Sequence, residues 1–266
     1  MPRLSQVPAQ PRRTVPRWAR RLIGPVWLFG LWIVLADTGV ISARTLAPPH
    51  KVWDAFTALV RSGELQHHIL VSLHRVVLGL GFGIAIGVGL AVIAGLFRLG
   101  EDLIDGPMQI FRSLPVLALT GLLIFSLGID ETLKVTIITI AVVFPIYINT
   151  FAAIRGVDSR LVESSATFGL NRLGLVRHVI LPGALPGFFT GLRFAFAVSW
   201  LVLVFAEQQN ATSGVGYLAM NAREFMRSDI LVVTLFVYGV LGFLSDALVR
   251  LLERSALQWR PSFNPA

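Results

Sequence analysis

Long apolar runs, separated by short polar segments, recur along the chain. A helix needs about 20 apolar residues to cross a bilayer whose hydrocarbon core is about 30 Å thick. Six runs come close to that length, which predicts an all-α integral membrane protein with six transmembrane helices. The predicted spans cover residues 22–41, 68–97, 107–127, 133–150, 185–206 and 230–251.

Glycine and proline mark special positions within these runs. Gly79, Gly83 and Gly87 recur at intervals of four in the second run, so they fall on one face of a helix. Small residues on one face let a second helix approach closely, although glycine is also common in membrane helices for no such reason. Pro115 and Pro145 lie in the third and fourth runs and predict bends there.

Composition supports a membrane protein and removes several kinds of chemistry. Hydrophobic residues make up 55% of the chain and charged residues 14%, and the mean hydropathy is +0.72, beyond the usual values of soluble domains. The net charge of +8 does not indicate nucleic-acid binding, because the basic residues are spread among the apolar runs. The chain has no cysteine, which excludes disulfides, thiolate metal ligands and cysteine nucleophiles within it.

The N-terminal region sets the expected orientation. The first 21 residues contain six arginines and no acid, which is typical of a flexible basic tail. The apolar run that follows fits either a first spanning helix or the core of a signal peptide. The long tail and the continuation of the run past Ala36 favour the helix. Basic residues are then more frequent on the side of the tail, so both termini are expected in the cytoplasm.

This topology divides the chain into successive parts. They are a basic cytoplasmic tail (1–21), a first transmembrane helix (22–41), a periplasmic segment (42–66), a transmembrane domain (67–252) with a cytoplasmic loop (156–183), and a cytoplasmic tail (253–266).

The cytoplasmic loop is predicted to form two short helices. Asp158 can cap the first helix, and Gly169 can end it in a left-handed conformation. Asn171 can cap the second helix, which is expected to end before Pro182. The second helix has an apolar side that lipid or another protein must cover, formed by Leu173, Leu175, Val176 and Val179. An ordinary amphipathic loop at the membrane interface would show the same pattern.

The loop and its flanks resemble the permease subunits of ABC importers. Glu163, Gly169 and Leu181-Pro182 match the spacing of a motif of that family, which is named after its Glu-Ala-Ala opening. The stretches "FPIYINTFAAIRGVDSRLVESSATFG" and "VILPGALPGFFTGLRFAFAVSWLVLVFAE" look like the nitrate, sulfonate, taurine and bicarbonate branch of the family. The resemblance covers roughly residues 65–255.

The resemblance implies a fold, a role for the loop and a set of partners. The fold would be that of a type I ABC importer permease in the bacterial inner membrane. The loop would carry the coupling helix, which fits a groove on a separate ATPase subunit. The residues implied for ATPase coupling are Glu163, Gly169, Asn171, Leu173, Leu175, Val176, Val179, Leu181 and Pro182. Ser164-Ser165 replaces the two alanines of the motif, and because serine is also small, the same role is expected.

The same resemblance implies that the chain itself binds no cofactor. ATP-Mg would be used by two partner ATPase subunits, and the chain indeed lacks the G-x-x-x-x-G-K-[ST] phosphate loop. The other implied partners are a second copy of the permease and a periplasmic substrate-binding protein. The expected function is import of a small solute, such as an alkanesulfonate, taurine or nitrate anion.

The residues alone leave other functions open. A secondary transporter or channel would work without an ATPase, and Glu207 or Asp246 would then relay protons. Both acids lie near predicted span ends, so solvent access is the expected explanation for them. A membrane-embedded enzyme is disfavoured, because no acid, histidine and nucleophile gather in one span.

Polar residues inside the spans are the candidates for a substrate path. They are Ser113, Thr120, Tyr147, Asn149, Ser199 and Trp200, and each would alternatively bond to a neighbouring helix backbone. Another cluster stands at the outer start of the second span, formed by His67, His68, His74 and Arg75. No carboxylate or thiolate accompanies it at ligand spacing, so no metal site is expected. An outer rim that attracts anions is the preferred interpretation of this cluster.

Overall fold

The structure is a computed structural model that describes residues 17–40, 42, 45–209 and 211–259. The helices, in chain order, are α1 (Arg17–Asp37), α2 (Pro49–Arg61), α3 (Glu64–Leu96), α4 (Arg98–Ser113), α5 (Thr120–Leu127), α6 (Glu131–Arg155), α7 (Ser159–Thr167), α8 (Arg172–Leu175), α9 (Leu181–Gln208), α10 (Val215–Glu224) and α11 (Ser228–Ala256). No strand occurs in these described ranges, and the all-α prediction is confirmed. Most of the predicted basic tail and the end of the C-terminal tail, residues 1–16 and 260–266, lie outside the described residues.

Four helices among the described residues are long and apolar enough to cross a membrane. They are α3, α6, α11 and a continuous helix from Arg172 to Gln208 that contains α8 and α9. A fifth candidate is the bent pair formed by α4 and the segment Val116–Leu127. The helix α1 precedes them with 21 residues, about 31 Å at 1.5 Å per residue, although its described apolar stretch Val26–Ala36 is shorter than a span.

The third predicted span, residues 107–127, is interrupted at Pro115, where a bend was predicted. The chain bends by 90° between α4 and Val116–Leu127, and Pro107 lies inside α4. Leu114 is extended at the bend, with φ −83° and ψ 128°. The ring of Pro115 disfavours the helical conformation of the residue before it, which explains the break. The helix α6, in contrast, continues through Pro145.

Glycines on α3 set its distance from α6. A Cβ atom added at Gly83 would lie 2.5 Å from Cγ1 of Val142, well inside normal van der Waals contact. The flanking glycines of the stripe, Gly79 and Gly87, face Ile138 and Ile146 in the same way. Because these α6 side chains occupy the space that a side chain on α3 would need, the interpretation of a close helix approach is confirmed.

A substitution in this contact tests it directly. We expect Gly83→Ala to lower the unfolding midpoint of the detergent-solubilised protein, since overpacking of a tight contact costs about 1–3 kcal/mol. Gly81→Ala is the matched control on the same helix, because an added Cβ meets nothing within 4 Å there. Equal midpoints for the two variants would contradict the packing role of the stripe.

Candidate functional site

The loop between α6 and α9 folds at its turns as predicted. Asp158 accepts a hydrogen bond at Oδ1 from the Arg160 backbone N–H (2.9 Å). Gly169 has a φ of +75°, and Asn171 accepts at Oδ1 from the Gly174 N–H (2.7 Å). Both caps and the left-handed glycine are therefore confirmed.

The second helix of the loop was expected to end before Pro182, but it continues past this residue. A π-helical turn, Val176–Ile180, joins α8 to α9, and the Leu181 N–H bonds to the Val176 carbonyl five residues back. In a regular helix, proline removes one hydrogen bond and its ring clashes with the carbonyl four residues back. The wider π turn relieves both problems, so one continuous helix of 37 residues runs from the loop to Gln208.

The apolar surface of the loop differs from the predicted one. Leu173 is 76% exposed, whereas Leu175, Val176 and Val179 are half-buried. The most exposed large apolar side chain of the loop is that of Phe168, at 84%, just before Gly169 at the end of the first helix. Of the other implied coupling residues, Glu163, Gly169, Asn171 and Leu181 are exposed and Pro182 is half-buried. Phe168 and Leu173 are the two most exposed large apolar side chains of the loop, and we call this pair the loop tip.

Three of the six path candidates are buried and make hydrogen bonds inside the bundle. The Tyr147 hydroxyl donates to Oδ1 of Asp105 (3.1 Å), and Nε1 of Trp200 donates to Oγ of Ser245 (3.0 Å). Ser199 is fully buried and donates to a carbonyl of its own helix (2.8 Å). These three side chains make structural hydrogen bonds, but none of the bonds goes to the backbone of a neighbouring helix, which the alternative interpretation had stated.

The other three candidates lie in different surroundings. Ser113 is exposed at the end of α4. Thr120 is buried, and its hydroxyl has no hydrogen-bond partner within the part of the chain that the structure describes. Asn149 is half-buried, donates to the Pro145 carbonyl (2.8 Å) and lines an open groove.

That groove extends along one face of α6. An inner part of about 620 Å³ is lined by Asn149, and an outer part of about 480 Å³ is lined by Glu131 and Thr136. Both parts share Ile86 and Thr139, so we treat them as one feature, the α6 groove. The path prediction missed its threonines, because in sequence they look like ordinary β-branched residues of a span.

A buried ion pair joins the N-terminal half of α3 to the C-terminal end of α9. Glu207 has no exposed surface, and its Oε1 accepts from Nη1 of Arg75 (2.7 Å) and from Oγ of Ser72 (2.7 Å). Its Oε2 accepts from the Gly216 N–H (2.7 Å). The expectation that solvent access explains Glu207 is therefore wrong. Asp246 is partly exposed and pairs with Arg250 one turn away.

Arg75 is equally enclosed, with 1% of its surface exposed. Its Nε and Nη2 donate to the two carboxylate oxygens of Glu131 (2.6 Å each), and its Nη1 also donates to the Ser213 carbonyl (2.7 Å). Arg75 is thus not part of an open rim, which corrects that interpretation of the cluster at the start of the second span. Instead it joins α3, α6, α9 and the segment before α10.

The start of α10 completes this network. The Gly214 N–H donates to Nδ1 of His68 (3.0 Å), and the Val215 N–H donates to Oγ of Ser72 (2.8 Å). Because His68 accepts at Nδ1, its ring proton lies on Nε2 in the neutral form. His68 therefore caps a helix. Its neighbours in sequence gave no sign of that role, because α10 lies far along the chain.

The apolar spans, the groove and the exposed loop define a multi-pass membrane transport subunit. The chain belongs to the family of binding-protein-dependent transport system inner membrane components, whose model matches residues 83–258. It is a permease of an ABC importer, in the sulfonate, taurine and nitrate branch, and it is not an enzyme. The family uses a separate ATPase subunit and resides in the inner membrane.

Individual relatives agree with this assignment. SsuC of Escherichia coli (strain K12), a permease protein named for aliphatic sulfonate transport, is 43% identical over 253 residues, which are 94% of this chain and 96% of SsuC. The taurine transport system permease protein TauC of the same strain is 30% identical over 87% of this chain and 86% of TauC. A structure of the MetNI methionine ABC transporter, in inward-facing conformations, shares the fold with a TM-score of 0.56 and 20% identity, covering 74% of this chain and 97% of that one.

The buried ion pair makes a testable contribution to stability. We expect Glu207→Gln to lower the unfolding midpoint strongly, because removing one partner of a buried pair costs about 3–5 kcal/mol and the new amide places donors against Arg75. Glu101→Gln breaks a pair with Arg155 whose side chains are 33% and 51% exposed, so it serves as control with an expected loss of about 0–1 kcal/mol. Comparable losses in both variants would contradict a larger contribution of the buried pair to stability.

Proposed function

We propose that this permease imports alkanesulfonate anions. The observation that carries the proposal is the 43% identity to SsuC, which extends over nearly the full length of both chains. The relatives named for taurine and nitrate transport add that solutes bearing anionic oxygens are usual in this branch. The polar side of the α6 groove, with Thr136, Thr139 and Asn149, supports passage of such a solute through an otherwise apolar bundle.

The proposed assembly contains two copies of this permease, two ATPase subunits that use ATP-Mg, and a periplasmic substrate-binding protein. The loop tip is the proposed contact with the ATPase, since Phe168 and Leu173 are strongly exposed although apolar. Contiguous exposed apolar patches mark interaction sites, and we propose that these two side chains belong to such a patch. The continuous helix from Arg172 to Gln208 supports direct transmission of ATPase movements into the membrane.

We place both termini in the cytoplasm, with residues 42–66 and the network around Arg75 on the periplasmic side. The distribution of basic residues supports this orientation, as do the proposed cytoplasmic position of residues 156–183 and the even number of proposed spans. In this orientation the loop tip and the ion-pair network lie on opposite sides of the bilayer, and the α6 groove extends between them.

The substrate is tested by uptake. We expect cells that lack this chain to lose at least about nine tenths of their uptake of labelled methanesulfonate, because no other subunit of the importer provides a path. The expected result includes recovery of uptake when the chain is supplied again and unchanged uptake of a control amino acid. Unchanged methanesulfonate uptake in the deletion strain would contradict the proposed substrate.

A charged substitution in the loop tip tests its proposed contact with the ATPase. We expect Leu173→Glu to abolish co-purification of the ATPase subunit, because burying an unpaired carboxylate costs several kcal/mol or forces its protonation. Met226→Glu is the matched control, since Met226 is also 76% exposed but lies between α10 and α11 on the proposed periplasmic side. If the Leu173 variant retains the ATPase as fully as the Met226 variant, the loop tip is not the docking element.

A further inference from the structure

Glu131 lies between two buried cations at the outer mouth of the α6 groove. Its carboxylate contacts Nε and Nη2 of Arg75 at 2.6 Å and Nζ of Lys134 at 3.3 Å. Arg75 is 1% exposed and Lys134 is 3% exposed, whereas the side chain of Glu131 is 63% exposed. Two buried cations therefore hold the carboxylate of Glu131 on one side. Its other side is exposed and lines the groove.

The two acids that pair with Arg75 differ in their freedom to leave. Glu207 is fully buried and accepts further hydrogen bonds from Ser72 and Gly216, so it has no alternative partner. Glu131 is the first residue of α6, follows an exposed turn and can exchange its protein contacts for water. Arg75 consequently keeps one permanent counter-ion and one that is replaceable.

The contacts of Glu131 are those that a sulfonate would make. A guanidinium presents parallel N–H groups that bind two oxygens of one anionic group, and an ammonium adds a donor from another direction. We propose that Glu131 occupies an oxyanion site, built from Arg75 and Lys134, that the sulfonate of an incoming solute takes over during transport. This inference rests on the proposed function, which supplies the anionic solute. The neighbouring His74 and Thr132 line the same part of the groove.

The tethered carboxylate also explains how such a site avoids trapping the solute. An anion held by two buried cations would leave slowly, and conduction through a membrane requires binding weak enough to permit release. Glu131 competes for the same donors, so the fraction of protein with a vacant site is small and the apparent affinity falls in proportion. The returning carboxylate displaces the solute toward the inner part of the groove.

Removal of the competitor provides the test. The full chain, purified in phosphatidylcholine nanodiscs, is titrated with methanesulfonate while its unfolding midpoint is recorded, because a ligand that binds the folded state raises the midpoint. We expect Glu131→Gln to have a lower midpoint than wild type without ligand, and to bind methanesulfonate about tenfold more tightly, because the charged competitor is gone. Lys134→Met in the Glu131→Gln background should lose most of this gain. Glu101→Gln, which removes an acid from an exposed pair elsewhere, should behave as wild type.

Two further arms identify the ligand chemistry. Dimethyl sulfone, a neutral molecule of similar shape, should not raise the midpoint of Glu131→Gln. Phosphatidylglycerol in the nanodisc should not reduce the response to methanesulfonate, because the site receives a soluble anion instead of a lipid headgroup. The proposal is overturned if Glu131→Gln is destabilised but unresponsive to methanesulfonate, if dimethyl sulfone acts equally, or if phosphatidylglycerol abolishes the response.

The result is independent of the uptake experiment. If cells import methanesulfonate through the permease while Glu131→Gln binds no more tightly than wild type, the site is wrong and the proposed function stands. If Glu131→Gln gains affinity for methanesulfonate but cells lacking the chain take it up normally, the site stands and the assigned solute is wrong.

Discussion

A buried charge needs a counter-charge, and the groups that pair with Arg75 link four elements of this protein at once. Its pairs with Glu207 and Glu131 join α3 to α9 and α6, and its bond to the Ser213 carbonyl fixes the approach to α10. Isolated buried charges cost far more than the few kcal/mol by which a protein is stable. The parts of these helices that meet at Arg75 are therefore held in a fixed arrangement relative to one another.

Close packing continues this restraint through the bilayer. The α3 glycines admit Ile138, Val142 and Ile146 of α6 so closely that the two helices form one unit. Gly187 and Gly191 of α9 also approach the backbone of α6 closely, next to Asn149 and Pro145. Association of helices in lipid depends on such contacts, because the hydrophobic effect no longer drives it. These contacts therefore leave α3, α6 and α9 little room to shift against one another.

The sequence alone predicted those structural features that depend on residue type and near neighbours. The caps at Asp158 and Asn171 and the left-handed Gly169 follow from residue type and near neighbours, and so does the break at Pro115. It was insufficient wherever partners lie far apart along the chain. Arg75 and Glu207 are separated by 132 positions, and nothing beside either residue reveals the other. The sequence did not predict the exposure of Phe168 and Leu175 for a similar reason, since their surroundings depend on how the loop folds back.

The π turn at Val176–Ile180 has a geometric consequence for the whole permease. Such a turn holds one residue more than an α turn, and one residue corresponds to about 100° of rotation around a helix. The extra residue therefore changes the azimuth of the loop end of this helix relative to the part in which Gly187 and Gly191 meet α6. The loop end and the membrane part of this helix consequently do not keep the angular relation that an uninterrupted α-helix would give them.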